Sequence, residues 1–225
     1  MTLGSSLQQI APSSLRQRVL HILREAIISG QFQPGDRLIE EELCQQMGIS
    51  RGPLREALRQ LEQEGLVVSF PYRATEVIGV SDEEVRDVLI PIRFTLECFA
   101  FRHALPLLTD NDFAELEELI KIMRQSGESG DLARVVEADV KFHELVLGRA
   151  QQQHCLQIWR TISPRVRAYF YRHGPQHQAL TDIADEHQDL LEVMRTRDIE
   201  RVLSVLEPHI LVDAIVGGNL PPNQS

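Results

Sequence analysis

Apolar residues recur at helical spacing along most of the chain, and alternation marks only one short stretch. Runs with apolar residues three or four positions apart are typical of amphipathic helices, and glycines end several of them. The alternating stretch surrounds a proline and is typical of a β-hairpin. In the first part of the chain the pattern predicts a helix over 14–29, a turn at 33–38, helices over 40–47 and 50–65, and a hairpin over 66–78.

Beyond residue 80 every recognisable pattern is helical. Ser81 followed by Glu84 is a capping-box pattern, which marks the N-terminus of a helix, and Thr109 marks another. Short polar, glycine or proline breaks separate the helices, which is typical of an antiparallel bundle. The predicted helices are 81–105, one beginning at 109–112, 129–150, 152–173, 178–195 and 198–216.

The predicted fold is therefore mainly α, with two domains of different kinds. The length of 225 residues suits two domains, and the hydrophobic content of 43% is enough for packed cores. We expect a flexible tail at 1–12, a first domain at 13–78, a linker at 79–80, a helical bundle at 81–216 that also forms a dimer, and a tail at 217–225.

The composition of the chain is typical of a cytoplasmic protein. No apolar run is long enough to cross a membrane, and the N-terminus lacks a secretory pattern. The three scattered cysteines form no CxxC pair, which favours reduced thiols and a cytoplasmic protein. The net charge is −10, but residues 1–80 carry eight arginines and nine acidic residues, so a basic patch is possible there.

A row of arginines lies along the predicted helix over 50–65. Arg51, Arg55 and Arg59 recur every four residues beside an apolar stripe, so they share one face. Such a row is often only a solvated surface. Here, however, the helix follows a tight turn and precedes a hairpin with Arg73 at its tip, the layout of a winged helix-turn-helix that reads the DNA major groove. The candidate DNA-binding residues are Ser50, at the helix N-cap, Arg51, Arg55, Arg59 and Arg73.

Four polar residues interrupt the apolar stripes of the bundle helices. Asp139 and His143 lie one turn apart on one stripe, and His187 and His209 lie on two others. A single histidine on such a stripe is usually a hydrogen-bonded core residue. Four polar groups together are a suitable ligand set for a metal ion, because a buried carboxylate needs a partner and facing helices often build such sites.

Arg93 lies on the stripe of the first bundle helix, with Leu89, Ile92 and Leu96. A guanidinium buried there needs an anion, which could be a bound carboxylate or, equally, Glu97 one turn later. Arg165 is a further residue that could line the same pocket.

The motif that runs from Gly30 to Val67, with "GISRGPLREAL" at its centre, resembles the DNA-binding domain of the GntR superfamily of bacterial transcription regulators. Glu41, Gly52 and Ala74 depart from that pattern. The bundle resembles the FCD effector domain of the FadR-like branch, VanR-type, through "DVKFH" at 139–143, the two later histidines and "RFTLE" at 93–97.

The resemblance implies one divalent metal ion per chain, most often zinc and otherwise nickel or manganese. Its ligands would be Asp139, His143, His187 and His209, and open positions on the ion would take a small organic acid that Arg93 also binds. The Arg51 and Arg55 positions would contact operator DNA. The chain is thus predicted to be a homodimeric repressor of an inverted-repeat operator.

Two alternatives stay open at the level of sequence. The metal itself could be the signal, without any organic ligand. A metal-dependent hydrolase is disfavoured, because Glu186, the conceivable base beside His187, is offset by about 100° on its helix. The chain is therefore not expected to be an enzyme.

Overall fold

The computed structural model describes residues 15–70, 73–79, 81–173 and 179–215, apart from the side chains of 172, 173 and 211–215. The chain divides into two compact units: one comprises Phe32–Ile78 with the chain up to Ile27, and the other comprises Ile28–Gln31 and the chain from Gly79 onward. The predicted tails at 1–12 and 217–225 lie outside the described residues.

The first unit combines three helices with a small antiparallel sheet. Its helices are α1 (Leu15–Ile28), α2 (Glu40–Met47) and α3 (Arg51–Gln63), and its strands are β1 (Arg37–Leu38), β2 (Val67–Val68) and β3 (Thr75–Val77), in the order β1–β3–β2. The hairpin was predicted, whereas β1 was assigned to a turn. Leu38 pairs with Thr75 and is almost completely buried, but a two-residue strand is too short to leave a periodic signal.

The turn between α2 and α3 fixes the orientation of α3. Gly48 adopts a left-handed conformation, with φ of 62°, and its N–H ends α2 by donating to the carbonyl oxygens of Cys44 and Gln45. Ser50 occupies the predicted N-cap position, but its hydroxyl makes no capping hydrogen bond. The apolar side of α3 is buried through Leu54, Ala57, Leu58 and Leu61, which leaves the opposite side exposed.

The second unit is a helical bundle, so the predicted fold class is confirmed. It contains α4 (Asp82–Glu84), a π-helical turn (Val85–Leu89), α5 (Ile90–Ala104), α6 (Asp110–Ser129), α7 (Leu132–Arg149), α8 (Gln153–His173), α9 (Thr181–Arg195) and α10 (Ile199–Ile215). Successive packing contacts join α5 to α7, α7 to α6, α6 to α9, α9 to α10 and α10 back to α5. These five helices surround one core. Across the described residues, no helix is long and apolar enough to span a membrane.

The π-helical turn corrects the prediction of one regular helix over 81–105. Val85, Leu89, Arg93 and Glu97 are all buried, at a constant spacing of four residues. A regular helix of 3.6 residues per turn rotates such a set away from the core, so one wider turn is needed, and Ile90 N–H bonds to the Val85 carbonyl across five residues. The expected stripe residue Ile92 is consequently on the outside, 38% exposed.

Candidate metal centre and DNA-binding helix

The four polar residues predicted from the bundle stripes lie together. Asp139 and His143 come from α7, His187 from α9 and His209 from α10. All four are buried, and one potential ligand atom of each lies within 4.8 Å of those of the others. The regular helical spacing on α7 stacks its two members one above the other, and the packing of α9 and α10 brings the other two opposite.

The distances in this cluster suit a single divalent ion. Asp139 Oδ1 is 3.1 Å from His187 Nε2 and 3.7 Å from His143 Nε2, and His143 Nε2 is 3.3 Å from His209 Nε2. Two nitrogens bound at 2.0–2.1 Å to one tetrahedral ion would be separated by about 3.3 Å. Three imidazole nitrogens and one carboxylate oxygen thus converge as a metal shell requires.

The protonation of the cluster also favours a metal. Burial and the neighbouring His187 and His143 hold the pKa of His209 well below its usual value, and burial lowers the pKa of His143. Burial opposes ionisation of Asp139, but the neighbouring His187 and His143 outweigh it and lower the pKa of the carboxyl. At neutral pH these groups therefore have the deprotonated forms that bind metals.

His187 is oriented by its own helix. Its Nδ1 lies 2.7 Å from the carbonyl oxygen of Ile183. A carbonyl oxygen only accepts hydrogen bonds, so the Nδ1 of this ring carries a proton. A neutral His187 then has its lone pair at Nε2, the ring nitrogen on the side of the cluster where an ion would be bound.

Arg93 forms the internal ion pair that the sequence offered as one of its two readings. Its Nε donates to Glu97 Oε1 at 2.7 Å, and both side chains are completely buried. The guanidinium carbon lies 5.9 Å from the Trp159 ring centroid and 5.8 Å from that of Phe170. Arg165, by contrast, donates to the carbonyl oxygen of Thr161 on its own helix.

Three further residues near the cluster were not predicted as site residues. Glu97 Oε2 lies 2.6 Å from His143 Nδ1, and Glu186 Oε2 lies 3.8 Å from His209 Nδ1, although its helix position had placed it off the stripe. The only signal for Glu97 was its spacing from Arg93. The indole Nε1 of Trp159, the only tryptophan of the chain, is fully buried and has no hydrogen-bond acceptor among the described residues.

The arginine row of α3 lies on the exposed side of that helix. Arg51, Arg55 and Arg59 are all exposed, as the stripe predicted. Arg55 Nε contacts both carboxylate oxygens of Glu40 on α2, at 2.9 and 3.0 Å, and Arg59 pairs with Glu56. Ser50 precedes the row, also exposed. The exposed guanidinium groups are suited to contacts with phosphates and guanine bases.

Arg73 lies in the loop between β2 and β3. It is exposed, and its backbone N–H donates to the carbonyl oxygen of Phe70 at 3.2 Å. The loop therefore carries an exposed cation, as expected of a wing that contacts the DNA backbone.

Comparison with known proteins identifies the family. The FCD domain profile matches residues 88–211, and the profile described as bacterial regulatory proteins, gntR family, matches residues 15–77. The chain belongs to the gntR family and carries an FCD domain. It is thus a DNA-binding transcription regulator and not an enzyme.

The relatives of this FCD-containing gntR protein match over most of their length. The HTH-type transcriptional repressor RspR of Escherichia coli is 29% identical over 216 residues, covering 93% of this chain and 91% of that protein. The gluconate operon transcriptional repressor of Bacillus licheniformis is 26% identical over 202 residues, with coverages of 88% and 82%. The solved structure of E. coli McbR/YncC superposes with a TM-score of 0.79 at 25% identity, covering 91% of this chain and 98% of that one.

Proposed function

We propose that this protein is a cytoplasmic, homodimeric repressor whose affinity for an inverted-repeat operator is controlled by a small organic acid bound at a metal ion. The DNA-binding domain would be 13–78 and the effector domain 81–216. The observation that carries the proposal is the buried convergence of one carboxylate and three imidazoles in the bundle. Relatives named as transcriptional repressors favour repression over activation.

On the DNA side, α3 would enter the major groove. Arg51 and Arg55 reach base edges or adjacent phosphates, Ser50 and Arg59 contact phosphates, and Arg73 contacts the backbone beside the groove. Arginine suits both tasks, because its guanidinium pairs with guanine in a bidentate way and also with phosphate. Each chain supplies one such helix, so an inverted repeat requires two chains.

On the effector side, Asp139, His143, His187 and His209 would hold one divalent ion. Nitrogen-rich sets with a carboxylate favour zinc, and nickel and manganese also accept them. When bound, the ion supplies a Lewis-acidic site for a carboxylate oxygen. Arg93 places positive charge close to the cluster, and the Trp159 indole N–H offers a buried donor for a ligand oxygen. The expected role of Arg165 in this pocket has less support, because its guanidinium contacts its own helix.

Effector control requires a difference in affinity between two states of the regulator. An acid that binds the DNA-incompetent state more tightly lowers operator affinity, and operator DNA must weaken the binding of the acid by the same factor. Gluconate is a reasonable first probe, with dicarboxylates and other sugar acids, because a relative is named for the gluconate operon.

Elemental analysis tests the metal site. We expect about one zinc, nickel or manganese per purified chain, and none in Asp139→Ala/His187→Ala. His103→Ala, a histidine exposed on α5, is the matched control and should keep its metal. A metal content equal in the parent and the double variant rules out this cluster as the site. If metal is present, gluconate should raise the melting temperature of the parent and leave that of the double variant unchanged.

Gel shifts with operator DNA test the docking of α3. Arg51→Ala and Arg55→Ala should each lose specific binding while the fold is retained. Arg18→Ala removes an exposed arginine from α1 and should bind as the parent does. Unchanged shifts for both α3 variants would refute the proposed interface.

A second candidate is a regulator in which the metal itself is the signal. The observation in its favour is that four protein groups converge in the cluster, as many as a tetrahedral zinc site needs. Operator affinity measured at buffered free zinc, without any organic acid, separates the two candidates. A large dependence on free zinc supports the second one, and no dependence supports control by the acid.

A further inference from the structure

A continuous chain of buried contacts leads from α5 to the metal cluster. Arg93 Nε donates to Glu97 Oε1 at 2.7 Å, and Glu97 Oε2 lies 2.6 Å from His143 Nδ1. The side chains of Arg93, Glu97 and His143 are all completely buried. Two of them are on α5, and His143 is on α7, so the contacts join the first bundle helix to the helix that supplies two ligands.

The contacts between Arg93, Glu97 and His143 determine which ring nitrogen of His143 carries the proton. A carboxylate oxygen and an imidazole nitrogen that are 2.6 Å apart repel unless a proton lies between them. Arg93 supplies the positive charge that keeps Glu97 an ionised acceptor in a buried position. With a proton on Nδ1, the imidazole would be the donor and the Glu97 carboxylate the acceptor of this contact.

The other nitrogen of the ring faces the cluster. His143 Nε2 is 3.3 Å from His209 Nε2 and 3.7 Å from Asp139 Oδ1. With a proton on Nδ1, a neutral His143 has its lone pair at Nε2, where an ion would be bound. The opposite tautomer would place a hydrogen in the centre of the ligand set and prevent coordination by this ring.

We infer that Arg93 and Glu97 are positioning residues, a buried pair that fixes the proton of His143 on Nδ1 and turns its Nε2 lone pair toward Asp139, His187 and His209. The inference rests on the proposed metal site for its purpose, but the tautomer is a property of the metal-free protein. It gives Arg93 a role that does not depend on the effector. Bound effectors would then act beside a ligand whose orientation is already set from α5.

Nitrogen NMR on the metal-free, full-length protein tests the inference directly. Long-range correlation spectra of the imidazole nitrogens distinguish a protonated ring nitrogen from one with a lone pair. In the parent we expect His143 to be protonated at Nδ1 and not at Nε2. His187, whose Nδ1 bonds to a backbone carbonyl, is the internal control and should remain the same in every variant.

The informative variant is Arg93→Gln/Glu97→Gln. Glu97→Gln alone would remove the negative charge beside the buried Arg93 guanidinium, which is strongly destabilising. The double variant is neutral, and its amides can either donate or accept, so His143 should become a mixture of both tautomers. Its zinc affinity, measured by competition with a chromogenic chelator, should fall about 10- to 100-fold, the usual effect of losing the partner of a metal-binding histidine.

The matched control is Asp112→Asn. Asp112 is also a buried carboxylate paired with an arginine, Arg149 at 2.6 Å, but it lies on α6 in the capping box and is not one of the cluster residues. It reports the effect of disturbing a buried ion pair in the same domain. We expect the tautomer of His143 and the affinity for zinc to be unchanged in this variant.

The possible results separate this inference from the proposed function. A proton on Nε2 of His143 in the parent overturns it, whether or not any variant folds. So does a double variant that binds zinc as tightly as the parent does. A parent that has the Nδ1 proton but binds no zinc supports the positioning role and refutes the proposed metal site.

Discussion

Arg55 forms an ion pair with a residue of the neighbouring helix. Glu40 on α2 contacts its Nε with both carboxylate oxygens, and the two side chains are 55% and 33% exposed. An exposed ion pair of this kind stabilises a protein little, by about 0–1 kcal/mol. Its effect is rather to restrict the direction of the guanidinium. A restricted arginine distinguishes one base arrangement from another better than a mobile one does.

Glu40→Gln should therefore change the discrimination between DNA sequences more than it changes stability. In the proposed complex the variant would lose a negative charge near the phosphates, so its affinity for a scrambled duplex should rise about 2- to 5-fold. The ratio of operator affinity to scrambled affinity should fall, because Arg55 is no longer oriented. Fluorescence anisotropy with both duplexes at several salt concentrations measures the ratio.

Glu42→Gln provides the comparison for this prediction. Glu42 lies on the same helix, is exposed and carries the same charge. Its loss should strengthen binding to both duplexes by the same factor. If Glu40→Gln behaves in the same way, its only contribution is charge, and Arg55 is not oriented by it.

The residues of the candidate metal centre could be predicted from the sequence, whereas most of their partners could not. Asp139, His143, His187 and His209 each interrupt an apolar stripe, and helical periodicity alone places them inside. The approach of Glu186 to His209 depends on how α9 packs against α10, which no local pattern encodes. Glu97 could be predicted in part: its spacing from Arg93 indicated an ion pair, but its contact with His143 could not be predicted.

At the scale of secondary structure, the start of α6 shows how one local signal is completed by a distant residue. Thr109 and Asp112 form a capping box, in which each side chain accepts from the backbone N–H of the other. Arg149 at the end of α7 then pairs with the same carboxylate. Burial opposes ionisation of Asp112, but the hydrogen bonds from Thr109 and the charge of Arg149 lower its pKa.

Asp112→Ala should lower the free energy of unfolding at pH 7 by about 1–2 kcal/mol, the usual effect of losing a cap. Since the folded-state pKa of Asp112 is lowered, its charged form stabilises the native state at neutral pH. The stabilisation diminishes as the pH falls below about 4, the ordinary value for aspartate, toward the folded-state pKa. Urea unfolding of variant and parent at pH 7 and pH 3 should therefore show a smaller difference at pH 3.

Asp110→Ala separates capping from general charge removal. Asp110 is exposed on the first turn of α6 and should have a smaller effect than Asp112 at neutral pH. A difference between Asp112→Ala and the parent that stays constant from pH 7 to pH 3 would contradict an ionised cap.

Two elements could not be predicted from the sequence, because neither produces a periodic pattern of apolar residues. β1 exists because Arg37 and Leu38 find partners in β3, far along the chain. The π-helical turn inserts a wider turn ahead of Pro91, which lacks an N–H to continue the regular ladder. A pattern of apolar residues predicts that a helix is present, but it does not show that one turn of the helix contains an extra residue.

At the scale of the whole molecule, the negative charge is concentrated in the second part of the chain. The chain carries a net charge of −10, yet residues 1–80 are almost neutral and have their arginines exposed on α3. The acidic remainder limits binding to arbitrary DNA through general attraction. In the proposed complex, affinity would then come from the local row of guanidinium groups, which favours recognition of one site over non-specific binding along the duplex.

An exposed apolar stripe on the bundle favours association of two chains. Val88, Ile92 and Phe99 are 45%, 38% and 46% exposed, and they lie on one side of the π-helical turn and α5. Ile158 on α8 is 47% exposed, and α8 packs against α5. Aligned apolar side chains of this kind are typical of protein interfaces. A second copy is the occupant we propose, because each chain supplies a single α3 and an inverted repeat needs two.

Replacing two residues of the stripe tests this interface. Ile92→Ser/Phe99→Ser removes apolar area that the proposed dimer would bury but leaves the core of the single chain intact, so light scattering should give the molar mass of one chain. Its zinc content should match the parent, because the cluster lies inside the bundle. Operator affinity should fall by at least 100-fold, since two half-sites are no longer bound together. Ile22→Ser changes a residue of α1 that is 54% exposed, and this variant should remain dimeric. A dimeric Ile92→Ser/Phe99→Ser variant would place the interface on another surface.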